Sequence, residues 1–206
     1  MTSICFYFQV HQPYRIRNYS VFDIGTGQTY FDEVKNEEVT KKVAQKCYLP
    51  TNKLLLDLIR QNNGKFKISF SITGTALEQF EKYSPEVIQS FKELVDTGCV
   101  EMLSETYHHS LSWLKSKKEF RSQIKLHSEK IKKLFGQEPK IFRNTELIFN
   151  NEIAHDIEDM GYKGILAEGV DRILDWRSPN HLYRAKTTSK MKLLLKNYKL
   201  SDDIAF

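Results

Sequence analysis

Four groups of polar side chains in this sequence carry residue types that do chemistry. They are His11-Gln12-Pro13-Tyr14-Arg15, Glu101-Met102-Leu103-Ser104-Glu105-Thr106-Tyr107-His108-His109-Ser110-Leu111, Arg143-Asn144-Thr145-Glu146, and Ala167-Glu168-Gly169-Val170-Asp171-Arg172. Three of the four contain carboxylates. Glycoside hydrolysis is the reaction that suits carboxylates in facing positions: one attacks or activates water, the other protonates the leaving oxygen. Tyr107, Trp113, Trp176 and the histidines could add ring faces and hydroxyl contacts for sugars, although an aromatic side chain is more often part of a core. One such cluster can equally be a satisfied structural network. Four of them, each at the end of an apolar run, make the stronger pattern.

Other chemistries fit less well. No glycine-rich phosphate cradle follows the first apolar run, so nucleotide binding has no motif. Ser110, beside the histidines, lacks the G-x-S-x-G turn of a nucleophilic serine. His11, His108 or His109 with one carboxylate could form an open metal site, as in a metal-dependent polysaccharide deacetylase. Adjacent histidines on an extended segment face opposite ways, however, and no Asp-Asp pair follows the first run. Neither a metal nor a cofactor is expected.

The elements that must position these groups alternate regularly. Ile4 to Val10 reads as a strand running into His11, and Tyr14 to Tyr48 as a long irregular segment over the surface. Pro50-Thr51-Asn52 opens a helix with an apolar face of Leu54, Leu55, Leu58 and Ile59, stopped by Asn62-Asn63-Gly64. Phe66, Ile68, Phe70 and Ile72 alternate as in a strand, and Ser84-Pro85 starts a helix through Val87, Ile88, Phe91, Leu94 and Val95. Cys99 to Leu103 is a third strand. Phe120, Ile124, Ile131, Leu134 and Phe135 mark a long helix ending at Gly136, and Lys140 to Thr145 a fourth strand. Ile153, Ile157 and Met160 mark a helix ending at Gly161; Tyr162 to Ala167 and Met191 to Leu195 complete the strands. Such alternation calls for parallel strands with right-handed crossovers, in an open sheet or a barrel. In an α/β barrel the C-terminal strand ends form the face that carries chemistry. No linker divides the chain, so one domain over residues 1–206 is expected.

The length of 206 residues is short for a whole barrel, which takes about 250. Leu200 to Phe206 reads as the N-cap and first turn of a helix too short to be stable alone. The chain is therefore expected to be the N-terminal portion of a longer barrel. Its 31 basic and 26 acidic residues are interleaved, and Lys115 to Lys118 and Lys186 to Lys199 read as solvated faces, not a nucleic-acid surface. No apolar stretch is long enough to span a bilayer, and no secretory leader is visible. Of three cysteines, Cys5 and Cys99 lie in expected strands as small buried hydrophobes, with Cys47 besides, which points to a reducing, cytoplasmic setting.

The motifs HQPYR, GTALEQ (Gly74 to Gln79), ETYHHSL (Glu105 to Leu111), FRNTEL (Phe142 to Leu147) and AEGVDRIL…WRSPN resemble those of glycoside hydrolase family 57, its α-amylase and α-amylase-like group above all. The resemblance runs through essentially the whole chain in order. It implies an incomplete, seven-stranded (β/α) barrel, cut here after about the sixth strand, acting with retention on α-1,4-glucans as hydrolase or 4-α-glucanotransferase. It places Glu146 as catalytic nucleophile and His11, with Gln12 beside it in the first motif, in the donor sugar subsite. Glu101, Glu105, Tyr107 and His109 would line the same pocket, and Arg143 and Asp171 complete the expected substrate contacts. Arg143 would keep Glu146 ionised by charge proximity, and His11 and His109 would bind sugar hydroxyls.

The family's acid/base is an aspartate on a later strand; Asp202 and Asp203, at a helix start, do not match it. The 206 residues alone are thus expected to be inactive on a maltooligosaccharide. A non-catalytic α-glucan-binding member of the group, or the deacetylase-like hydrolase, is the alternative.

Overall fold

The computed structural model describes residues 3–205. They fall into two units divided between Glu101 and Met102. In the first, β1 (Phe6–Val10) pairs in parallel with β2 (Ile68–Ile72), Phe6 opposite Ile68 and Val10 opposite Ile72. β3 (Val100–Met102) follows β2 in the strand order. The central β2 is the buried one: Ile68, Phe70 and Ile72 are all inside, with Phe70 edge-on to Phe91 at 5.2 Å. β1, at the end of the strand order, buries only Val10. Cys5 is consequently exposed, not the buried hydrophobe expected from its apolar neighbours, whereas Cys99 is buried as expected.

The segment Tyr14–Tyr48 corrects the reading of it as coil throughout. Residues 14–31 are mostly irregular, but α1 (Glu33–Val43) passes through a π-helical turn (Ala44–Tyr48) into α2 (Leu49–Gln61). The side chain of Asp32 caps α1 by accepting from Lys35 N at 3.0 Å. No apolar stripe betrays α1, because its buried residues are Asn36 and Thr40. Asn36 accepts from Arg15 N at 2.8 Å, and Thr40 donates to Gln79 at 3.4 Å. Pro50 lies in the first turn of α2, as expected, but that turn continues from the π turn and does not start free; the wider π turn accommodates a residue with no N–H to give. α2 turns Leu55, Leu56 and Ile59 inward and leaves Leu54 in solvent.

Thr73 caps α3 (Gly74–Tyr83) through Ala76 N at 3.2 Å. α4 (Pro85–Asp96) starts at the expected place, with Pro85 at its first turn, but the Ser84 hydroxyl makes no cap; its backbone N–H donates to Phe80 O of α3.

In the second unit β4 (Ile141–Arg143), β5 (Gly164–Glu168) and β6 (Lys192–Lys196) are parallel and adjacent in that order. Ser104 continues the pairing beside β4, bridging to Phe142. α5 (Lys117–Phe135) ends at Gly136, whose φ of 70° is the left-handed stop that glycine supplies. α6 (Asn151–Asp159) is capped by Asn150. Between these helices and the strands lie Phe120, Ile124, Phe142, Ile153, Ile157, Ile165, Met191 and Leu193.

Two short helices, α7 (Asp171–Leu174) and α8 (Tyr198–Ala205), follow β5 and β6. α8 begins before the expected Ser201, because Asn197 Oδ1 already accepts from Leu200 N at 3.1 Å. Among the described residues no helix is long and apolar enough to cross a membrane.

Truncating a fully buried ring and removing a cap should cost different amounts. Phe120→Ala is expected to lower the unfolding free energy by about 3–5 kcal/mol, and Asn150→Ala by about 1 kcal/mol. Urea unfolding followed by circular dichroism checks both the sizes and their order.

Candidate active site

β1 and β2 deliver His11 and Thr73 to the same end of their sheet, where His11 Nδ1 lies 3.0 Å from Thr73 Oγ1. Gln12 is held at both ends of its amide: its NH2 donates to Tyr48 Oη at 3.0 Å, and its oxygen accepts from Arg15 at 2.9 Å. Burial raises the Tyr48 phenol above its ordinary value, so it stays a neutral partner at physiological pH. Glu101 lies in the middle of β3 with its side chain in solvent.

The second unit brings four of the expected residues together. Glu105 is fully buried, and its Oε2 lies 3.5 Å from His109 Nδ1 and 3.9 Å from Arg143 Nη1. On the other side of the ring, His109 Nε2 is 3.0 Å from Glu146 Oε1. His109 thus sits between two carboxylates, its side chain 13% exposed and that of Glu146 69% exposed. The basic group against Glu146 is this imidazole; Arg143, expected there, faces Glu105. On α5, His127 Nδ1 lies 3.4 Å from Glu105 N.

Backbone conformation makes this pairing possible. His109, Glu146 and Leu147 have φ of 55°, 54° and 54°, the left-handed region that residues with a Cβ rarely adopt. Such conformations cost about 1–3 kcal/mol each and persist only where surrounding contacts impose them. Those contacts are hydroxyls. Thr145 Oγ1 donates to Ser110 O at 2.9 Å and lies 2.9 Å from Thr106 Oγ1, which accepts from Ser110 N at 3.0 Å. The Asn144 amide donates to Ile148 O at 2.9 Å, closing the turn that carries Glu146.

The electrostatics follow from the geometry. The Glu105 carboxylate facing Nδ1 raises the His109 pKa above its ordinary value; partial burial opposes the rise, and the hydrogen bond to Glu146 adds to it. A neutral imidazole has one N–H and cannot donate to two carboxylates, whereas an imidazolium can.

The other expected residues lie apart from this cluster or inside the core. Tyr107 is buried edge-on to the His108 ring at 4.9 Å. Trp113 is engaged structurally, donating to Asp156 at 2.8 Å, while Trp176 is 86% exposed. Asp171 begins α7 and accepts from Tyr198 Oη at 2.7 Å, in a cleft of about 430 Å³ that Glu168, Lys196 and Asp202 also line. The sequence reading missed the bracing role of Thr106 and Thr145 and the presence of His127. A polar residue on the inward stripe of α5, between Ile124 and Ile131, was the available signal for His127.

Residues 5–206 match the pattern of glycosyl hydrolase family 57. A protein of Methanocaldococcus jannaschii named "Putative alpha-amylase" is 48% identical over 206 residues, 98% of this chain and 43% of its own length. The α-amylase AmyC of Thermotoga maritima superposes with a TM-score of 0.73 at 11% identity, over 98% of this chain and 47% of that one. The 4-α-glucanotransferase of Thermococcus litoralis does so with a TM-score of 0.71 at 18% identity, over 98% and 28%. The chain belongs to glycosyl hydrolase family 57 and has the α/β fold with parallel strands of those structures. It spans less than half the length of each of the three.

Because the His109 pKa is raised in the folded chain, its contribution to stability is complete below the unfolded value near 6.5 and is lost as pH rises through the folded value. Urea unfolding should therefore separate the chain from His109→Gln more at about pH 5.5 than at about pH 9. An equal separation at both would contradict the raised value.

Proposed function

We propose that this chain carries the nucleophile half of a retaining glycosidase acting on α-1,4-glucans, as an α-amylase or 4-α-glucanotransferase, with Glu146 as the nucleophile. The observation that supports it most is the placement of Glu146. It is an exposed carboxylate on a left-handed turn at the C-terminal end of β4, hydrogen-bonded through one oxygen to a histidine whose pKa is raised. With one oxygen held by the histidine, the other is the one that attacks an anomeric carbon in this reading. Attack forms a glycosyl–enzyme, and water or an acceptor sugar then releases it.

Retention needs a second carboxyl group about 5 Å from the first. Glu105 does not qualify, since its fully buried side chain cannot reach a glycosidic oxygen. In this reading the acid/base is an aspartate outside the 206 residues. His11, Gln12, Glu101 and Asp171 are proposed to contact the glucan, and Tyr107, buried against His108, to support the wall behind it. A reducing, cytoplasmic setting accords with the free cysteines at positions 5, 47 and 99.

The test is turnover of maltoheptaose, with products resolved by length, by this chain and by one that includes any coding sequence following residue 206. Turnover in the longer chain should fall below a few per cent in Glu146→Gln with the fold intact. Undiminished turnover in that variant would remove Glu146 from the role; saccharide binding without turnover in either chain would favour a glucan-binding protein.

A further inference from the structure

We infer that His109 is a positioning residue for Glu146, oriented from behind by the buried Glu105, and this rests on the reading of Glu146 as nucleophile. Both nitrogens of the ring are engaged by carboxylates, Nδ1 by Glu105 at 3.5 Å and Nε2 by Glu146 at 3.0 Å. With 13% of its side chain exposed, His109 has little surface left for a sugar hydroxyl. Glu146 is the opposite, a long side chain 69% exposed on a turn, and without a tether it would sample many rotamers. A nucleophile must meet the reacting carbon within a narrow range of distance and angle. Holding Oε1 fixes the carboxylate plane and leaves Oε2 to react.

Glu105 supplies what keeps the tether in place. It is fully buried, so its charge acts on His109 with little screening by water. The groups facing His109 include Glu105 on its own segment, Arg143 at the end of β4 and Glu146 on the turn that follows. His127, from α5, stands behind Glu105 at its backbone N–H. The carboxylates favour the doubly protonated ring and Arg143 opposes it. Once the ring loses a proton, it has a single N–H to offer and can serve only one of the two carboxylates. Glu146, 69% exposed, is the one whose oxygens water can solvate in place of the ring, and so the cheaper one to release. Deprotonation of His109 therefore releases Glu146.

The step can be watched without an acid/base. In a 5-fluoro-α-maltosyl fluoride, a Glu146 carboxylate oxygen forms a bond to C1 while the C1–F bond breaks, and fluoride leaves with its electron pair. No proton is required, and the fluorinated glycosyl–enzyme persists long enough to be found on the Glu146 peptide by mass spectrometry. The labelling rate of the 206-residue chain should fall with rising pH, at the same midpoint as the His109 ring titrates by NMR. His109→Gln should label at least about tenfold more slowly near neutrality, as expected for loss of a hydrogen bond to a charged group, and should lose that pH dependence.

Labelling at the unmutated rate in His109→Gln would overturn the inference while leaving Glu146 as nucleophile. A pH midpoint unrelated to the His109 titration would do the same, and needs no variant to fold. No label on Glu146 in the unmutated chain would remove the nucleophile reading, and this inference with it.

Discussion

The hydroxyl of Thr145 ties together the two stretches of chain that carry the site. Its hydrogen bond to Ser110 O, with Thr106 Oγ1 alongside, fixes the residue after His109 to the residue before Glu146. Both flanking residues are left-handed, so neither would hold its conformation from local preference. A side chain reaching the same place by packing alone would leave the carbonyl of Ser110 without its donors in a buried setting, which is costly. The imidazole between two carboxylates is therefore a consequence of backbone geometry set by three small hydroxyl residues, none of which touches a reacting atom.

Below that tie lies a buried charge that hydrophobic packing would not choose. Glu105 is fully buried, with Arg143 Nη1 at 3.9 Å and His109 Nδ1 at 3.5 Å beside its carboxylate. Buried ionic groups of this kind seldom add net stability relative to apolar side chains of similar volume. What they add is a fixed direction of charge. The strands supply the rigidity that makes such a direction useful: β4 lies between the Ser104 bridge and β5, so the segment leaving it starts from a paired strand.

Much of the fold could be read from the sequence because the second unit obeys simple periods. Ile153 and Ile157 mark α6, and Gly136 and Gly161 stop helices where the apolar stripe runs out. α1 escaped because its inward face is Asn36 and Thr40, and a helix docked by hydrogen bonds carries no hydrophobic stripe. α3 escaped for the opposite reason, being buried nearly all round through Thr75, Ala76, Leu77, Gln79 and Phe80. At the site, residue types were legible and pairings were not. Glu105, His109, Arg143 and Glu146 stood out as polar groups at strand ends. Nothing in sequence announces a left-handed histidine or glutamate, and so nothing showed that His109, rather than Arg143, would meet Glu146.

The π turn between α1 and α2 carries an implication for how this protein can vary. A helix widened over Ala44 to Tyr48 holds one residue more than an even helix of the same rise. That surplus aims Tyr48 at Gln12 and at the edge of Phe80, 5.1 Å between ring centres, while Leu55, Leu56 and Ile59 still face inward. Removing one residue would restore an even helix and turn everything on one side of it by about 100° relative to the other. Among descendants of this sequence, the stretch around Lys46 and Cys47 is thus free to change its letters but not its count.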